Sequence, residues 1–591
     1  MLPRVPTPRI PGPGRSLRSP IPHSIRHPSR PFTQHSQLQV ISPPLGRPQL
    51  PFLSSAGNRP LPPFSIHLRQ HFARLISTER RNYYKRRFSN WLKYTISFSA
   101  ILFLFQVVRM GVYQEELEHQ WPTPPEWSWK SRWCLRAAHA QQNPEKIGKL
   151  MTDWAMVAGY TRAVLERLED RNGEGKGIVD QGEGGFLVEG VGRTGFDITA
   201  KSEPWRRGYF QALLSAAKAA ESLEGWLTDR KQRITAPPEY VVGPSNPRPR
   251  PMPTKQKVIP REEDCEPASP SPETFYMKIL TTRGFDTRQK LDAALAYAEW
   301  LDYKGLKDTA RDMYTWAIDI AATGASSSLS SPSDISKIID VKTGVLKNDG
   351  TTLPTENLIR VSTALAVHHA RHNNLPSALS IFTSVLKAHR SLAPSSSPFT
   401  MPTLPSLPRS NDIFLNFFNS LKTVLIPVEY PPPQPSGDEP PLRTLASACD
   451  EAALMTYIGE IIYASSSKES GLAWTRDAVD LAESAILDLG NSEELSAPRA
   501  RCADCLRVGL GNWKTMVSGL VVLADREERE AVEKAKSAWY GGQKKVVEMK
   551  DQRRRWEAEK AILDDRAKRL EAYTDDGSAF AGIAPNVSLF T

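Results

Sequence analysis

The stretch Leu291–Ala321, LDAALAYAEWLDYKGLKDTARDMYTWAIDIA, decides the fold. Its apolar residues recur every three or four positions, the period of an amphipathic helix. Small Ala298 sits where two antiparallel helices can approach closely, and Leu301 packs one turn later. Gly305 supplies a turn, and Ala310, Tyr314 and Ala317 form the inner stripe of a second helix. The spacing predicts a helix–turn–helix hairpin.

The same spacing returns in NLIRVSTALAVHHARHNNLPSALSIFTSVLKAH, Asn357–His389, through Ala366, His369, Asn373, Ala378, Phe382 and Val385. A third copy is EAALMTYIGEIIYASSSKESGLAWTRDAVDLAESAIL, Glu451–Leu487. Gly459 and Ile462 mark its first helix, and Ala478, Ala482 and Ala485 its second. Extra residues around Ser465–Ser470 are expected to lengthen its turn. ARCADCLRVGLGNWKTMVSGLVVLA, Ala500–Ala524, reads as the first helix of a further degenerate unit. The pattern resembles the tetratricopeptide repeat, a helix–turn–helix unit of about 34 residues. No copy carries that family's usual Pro after the second helix.

One helix pair cannot cover its own apolar face, so neighbours are expected to stack and leave a groove. First-helix side chains Asp292, Glu299, Tyr303, Arg360, Arg371, Glu460 and Tyr463 would line it and bind a protein partner. Their mixed charge suits extended or partly unfolded segments. It does not suit a clamp for a peptide carboxylate, which would gather Lys, Arg and Asn.

Outward toward the N-terminus, Trp91–Val108 reads WLKYTISFSAILFLFQVV. As a helix it rises about 27 Å, enough for one hydrocarbon core. Basic RRNYYKRR (Arg80–Arg87) precedes it and acidic QEELEHQ (Gln114–Gln120) follows, the arrangement of a single-pass anchor with its N-terminus on the positive side. No second apolar run of this length occurs, which excludes a polytopic channel or transporter. The first 78 residues contain no Asp or Glu and are rich in Arg and Ser, the composition of a mitochondrial transit peptide. Within them FSIHLRQHFARLIS, Phe64–Ser77, has helical amphipathic spacing.

The chain carries +11, but residues 1–93 alone carry +15, leaving −4 for the rest. Basicity therefore belongs to the leader, and a nucleic-acid partner is excluded. The expected organisation is a transit peptide over 1–77, a transmembrane helix over 91–108 and an N-terminal helical region with a Gly-rich insertion over 122–235. A Pro-rich linker over 236–273 and repeats with Ser/Pro-rich insertions over 274–524 follow. A charged C-terminal helix over 525–573 and a tail over 574–591 complete it. The fold class is all-α: an irregular tetratricopeptide-like α-solenoid behind one transmembrane helix and a disordered leader.

Several short motifs lack the surroundings that their chemistry needs. Gly190-Val191-Gly192-Arg193-Thr194-Gly195 matches GxGxxG, but FDITAKSEP follows it where a dinucleotide site needs a helix. A small Gly-rich hairpin is expected instead. Cys502 and Cys505 form a lone CxxC with no second ligand pair, which reads as two buried packing cysteines, with Cys134, Cys265 and Cys449 isolated. His368 and His372 share a helix face but lack the Glu of an HExxH motif, and His369 is expected on the core stripe. Trp127, Trp129 and Trp133 are expected in the core of the first soluble helix, beyond a stiff PTPP spacer. With no nucleophile, phosphate loop or paired carboxylates, the chain reads as a non-enzyme without cofactor, metal or small-molecule substrate.

The layout of leader, anchor, irregular repeats and charged terminal helix resembles the fungal adaptor subunit of the i-AAA protease. That resemblance implies a mitochondrial inner-membrane protein with its N-terminus in the matrix and its repeats in the intermembrane space. There the repeats bind unfolded or substrate proteins and deliver them to the AAA protease. The two other readings are a scaffold or assembly factor for an inner-membrane complex and, from a different class, an enzyme using the Gly-rich loop.

Overall fold

The computed structural model describes residues 78–143, 151–181, 187–188, 192–193, 195–251, 259–328, 335–347, 353–393, 429–444, 446–490, 496–537 and 542–575. The transit-peptide segment, much of the Ser/Pro-rich insertions and the end of the tail lie outside them. The described residues are mostly helical, with fourteen α-helices and a few two- and three-residue strands. The chain divides into two units, Met1–Leu104 and Phe105–Thr591.

The described part of the first unit is helical and belongs to α1 (Thr78–Gln120), which contains the predicted 91–108 span and continues beyond it at both ends. Tyr94, Ile96, Phe98, Ile101, Phe103 and Leu104 are all exposed and point in every direction around the axis. A helix apolar all round needs a nonaqueous surrounding. Among the described residues α1 alone is long and apolar enough to cross a membrane. Thr95 weakens it little, because its hydroxyl donates to the Trp91 carbonyl at 2.6 Å within the same helix.

In the second unit the C-terminal end of α1 carries buried Gln114, Leu117 and Glu118. Glu118 accepts from the Thr123 backbone N–H at 2.9 Å, from the Arg132 guanidinium at 2.9 Å, and from Arg136, itself buried. The Pro-rich segment expected as a spacer is thus tied down. Trp127 is buried as expected, whereas Trp129 is 65% exposed and stacks on Trp133. Helices α2 (Trp129–Gln142), α3 (Trp154–Leu168) and α4 (Glu203–Ser222) pack in sequence order. Tyr209 of α4 is fully buried and donates to Glu169 at 3.0 Å, which also accepts from Lys278 at 2.8 Å.

The Gly-rich insertion folds into short antiparallel ladders. β1 (Val179–Asp180) pairs with β4 (Phe196–Asp197), and β2 (Leu187–Val188) with β3 (Gly192–Arg193), in the expected hairpin. The stretch expected as a linker over 236–273 is a correction. β5 (Leu227–Asp229) pairs on one side with β6 (Thr235–Ala236) and on the other with β7 (Cys265–Pro267). Ala236, Val241 and Ala268 are buried. Prolines remove donors, but the residues between them still have N–H groups to pair and apolar side chains to bury.

Next come α5 (Pro272–Thr281) and the antiparallel pairs α6 (Thr287–Tyr303) with α7 (Lys307–Ser328), and α9 (Glu356–Arg371) with α10 (Leu375–Ser391). Pairs α11 (Ser447–Ser465) with α12 (Lys468–Leu489), and α13 (Ser496–Ser537) with α14 (Gly542–Asp575), follow. Each pair packs on the next through α7 and α9, α10 and α11, and α12 and α13. Ala298, Leu301, Ala310, Tyr314, Ala317, Ala366, Ala378, Phe382, Val385, Ala478, Ala482 and Ala485 are all buried. Gly305 has φ +79° and Asn373 φ +61°, the left-handed conformation that lets each chain reverse after its first helix.

Three expectations change here. The buried histidine of α9 is His368, while His369 is half-buried. The third pair has a turn of two residues, not a lengthened one: Ser467 caps α12 by accepting from the Ser470 N–H at 3.2 Å, so the extra residues lengthen the helices. The pair closes tightly because a side chain on Gly459 or Gly471 would strike the facing backbone. The third change is that Cys449 and Cys502 form a disulfide joining α11 to α13 across 53 residues, with Cα atoms 5.1 Å apart.

The described parts of the insertions are integrated too. In the first, α8 (Ile335–Ile338) brings buried Ile338 and Ile339 into the main core with Leu346. In the second, Asn357 of α9 donates its side-chain amide to the Ser436 carbonyl at 2.8 Å and to Asp438 at 3.0 Å. Arg207 of α4 donates to the carbonyls of Pro431 and Pro432 and lies over the Tyr430 ring. Helix α14 docks back: Trp556, Leu563 and Leu570 are buried, Arg476 pairs with Glu559, and Arg566 reaches Asp480 at 2.6 Å.

Two predictions follow from these contacts. Closing a loop of this length removes about 4 kcal/mol of unfolded-chain entropy. Cys449→Ser should therefore lower stability by up to that amount in chemical denaturation, and a non-reducing peptide map of the wild type should link Cys449 to Cys502 while Cys505 stays unpaired. Glu118→Ala leaves Arg136 buried without its carboxylate, a loss on the order of 3–5 kcal/mol. The denaturation midpoint should fall accordingly, with little change in Glu115→Ala.

Candidate functional site

The seven residues expected to line a groove separate into two groups. Asp292 pairs with Arg360 between α6 and α9, beside a second link from Arg288 to Glu356 at 3.3 Å. Glu460 accepts from Asn512, and Tyr463 donates its hydroxyl to the Met516 carbonyl at 3.0 Å, both between α11 and α13. These four hold consecutive pairs together. Glu299, Tyr303 and Arg371 are exposed, Tyr303 at 88%.

Those three lie in the last turns of α6 and α9, whose C-terminal ends meet at the most chemically equipped place among the described residues. The first helix ends there because Gly305 reverses the chain and its N–H closes on the Asp302 carbonyl at 3.0 Å. The second ends at His372, the C-cap of α9. Asp302 and His368 have side chains only 5% and 4% exposed, whereas His372 is 31% exposed.

The imidazole Nδ1 of His368 lies 2.9 Å from both oxygens of Asp302, and Nε2 of His372 lies 3.1 Å from Oδ1. A carboxylate can only accept, so both ring nitrogens donate in this arrangement. Tyr314 from α7 donates its hydroxyl to Asp302 Oδ2 at 3.4 Å, and its ring centroid is 5.1 Å from that of His368. Burial would raise the Asp302 carboxyl, but the hydrogen bonds from His368 and His372 outweigh it and hold it below the ordinary carboxylate value. Burial, then the Asp302 charge, pushes the Tyr314 phenol well above its ordinary value, keeping it a donor. His369, one residue along, faces elsewhere: its Nδ1 pairs with the Asn374 amide at 3.3 Å, and burial depresses its ring.

The sequence exposed His368 and His372 as neighbours on one helix face. Asp302 and Tyr314 belong to the preceding pair, 66 and 54 residues away from His368, and no local spacing connects them. The CxxC leads to no comparable cluster: Cys502 is spent in the disulfide, and burial pushes the Cys505 thiol up to about 11. No protein family, curated protein or solved structure matches the chain.

The engaged group generates a pH prediction. Burial lifts the Glu460 carboxyl to about 7 from an ordinary 4.5, with the Asn512 hydrogen bond opposing it only partly. Between those values the folded chain holds a proton that the unfolded chain releases. The contribution of Glu460 is thus full below pH 4.5 and is lost as pH rises toward 7. Glu460→Gln keeps the acceptor for Asn512 without the charge. The variant should melt higher than wild type above pH 7, with the difference closing near pH 5. A constant offset across that range would contradict the prediction.

Proposed function

We propose that this chain is a single-pass, membrane-anchored adaptor whose tetratricopeptide-like solenoid presents substrate proteins to an AAA protease of the mitochondrial inner membrane. On this reading residues 1–77 are the import leader, the N-terminus lies in the matrix and the repeats work in the intermembrane space. The supporting observation is the succession of helix pairs, each packed on the next, the first two reversed at left-handed Gly305 and Asn373 and the third at a capped two-residue turn. This is how a helical repeat buries a face that one pair cannot. An α1 span that is apolar all round and exposed supports the anchor. The Cys449–Cys502 disulfide fits a compartment that sustains disulfides.

The binding surface on this reading is the exposed trio Glu299, Tyr303 and Arg371, an aromatic flanked by both charges. An aromatic anchor beside an Arg is the composition of an interface hot spot. A second reading, a scaffold for a stable inner-membrane complex, gains from the engagement of Glu460 and Tyr463 between helices. A compact surface rather than a long channel remains for a partner.

The test is affinity purification of the mildly solubilised, C-terminally tagged protein from mitochondria, with protease protection on the same mitoplasts. Co-purification of an AAA protease, with a tag digested only after the outer membrane is opened, is the expected result. Stable complex subunits without a protease would favour the scaffold, and a protected tag would reverse the topology. Tyr303→Ala should weaken partner capture by about tenfold, the cost of losing one hot spot, while leaving the melting temperature unchanged because the ring is exposed.

A further inference from the structure

We infer that Asp302, His368 and His372 form a zinc site that clips the first helix pair of the repeats to the second. Their candidate ligand atoms, a carboxylate oxygen, Nδ1 of His368 and Nε2 of His372, all lie within 4.8 Å of one another. The nitrogen–oxygen separations are 2.9 and 3.1 Å. In a tetrahedral zinc centre with bonds of about 2.0–2.1 Å, neighbouring ligand atoms stand about 3.3–3.4 Å apart. Each imidazole nitrogen needs to draw away from the carboxylate by only a few tenths of an ångström to reach that spacing. Two imidazoles and a carboxylate are a donor set that three-ligand zinc sites use.

The surroundings are those of a held site. Asp302 and His368 are almost fully buried, so neither can turn away into solvent. Tyr314 directs the second Asp302 oxygen through its hydroxyl, as groups behind metal ligands commonly do. The exposed edge of His372 leaves a fourth position open to water or to a donor from a bound partner. Zinc takes the ring nitrogens as lone-pair donors, so each metal-bound imidazole carries its remaining proton on its other nitrogen.

The site joins the last turn of α6 to the C-cap of α9, beside exposed Glu299, Tyr303 and Arg371. Zinc would therefore fix the spacing of two consecutive pairs at the surface where a partner is proposed to bind. The inference stands on the cluster alone, whatever the partner is.

The experiment uses the full chain in detergent, stripped with EDTA and dialysed, then titrated with zinc chloride and, separately, with cobalt chloride. Wild type should retain one equivalent of zinc after desalting, melt at a higher temperature with zinc, and give the visible d–d absorption of four-coordinate cobalt. Asp302→Asn and His372→Ala should lose all three responses, and His369→Ala should keep them. Circular dichroism verifies that each variant is folded; His372, partly exposed, is the substitution least able to disturb the core. A wild type that retains no zinc would overturn the site. So would stoichiometric zinc bound equally by folded His372→Ala and Asp302→Asn, because the metal would then reside elsewhere.

Discussion

The constraint on which the second unit depends is that a hairpin of two helices has more apolar surface than the two can hide in each other. Small residues let the helices of a pair come close: Ala298, Ala310 and Ala317 in one, and Gly459 against Gly471 in another. The large side chains then face the neighbouring pair, and Tyr314, Phe382 and Ile458 are buried there. Each pair needs the next. The last is closed by α14, whose Trp556, Leu563 and Leu570 cover what α12 and α13 would otherwise expose.

Polar links set the register of this apolar stack. Hydrophobic contact is non-directional, so helices held by it alone could slide. Asp292 with Arg360, Arg288 with Glu356, Arg390 with Glu451 and Arg476 with Glu559 each join two pairs and oppose sliding. The Cys449–Cys502 disulfide does the same covalently. Asp302 belongs to this set by position, since it joins α6 to α9, but differs from it in chemistry. Its partners are imidazoles that can ligate a metal as well as donate hydrogen bonds, which is why this link and not the others carries the zinc inference.

The insertions follow the same logic. Pro-rich segments offer carbonyls without competing donors, and Arg207, Asn357 and their neighbours use those carbonyls to bind the 429–444 strap along the helices. Composition marks such segments as breaks in the helical pattern. It does not say whether they leave the body or lie on it.

The sequence by itself determined the helical class, the hairpins at Leu291–Ala321 and Asn357–His389, the apolar span at 91–108 and the small hairpin of the Gly-rich insertion. Each is written in local spacing: three- and four-residue periods, a turn residue between two stripes, a long uncharged run. Only the tertiary structure decided that Cys502 pairs with Cys449, that Glu460 and Tyr463 hold helices together, that Ala236 and Cys265–Pro267 flank β5 in a sheet, that α14 docks back and that Asp302 meets His368 and His372. Those outcomes join residues dozens of positions apart. Which distant side chains meet is fixed by how the stacked pairs bury their faces, and a single chain's spacing does not record that.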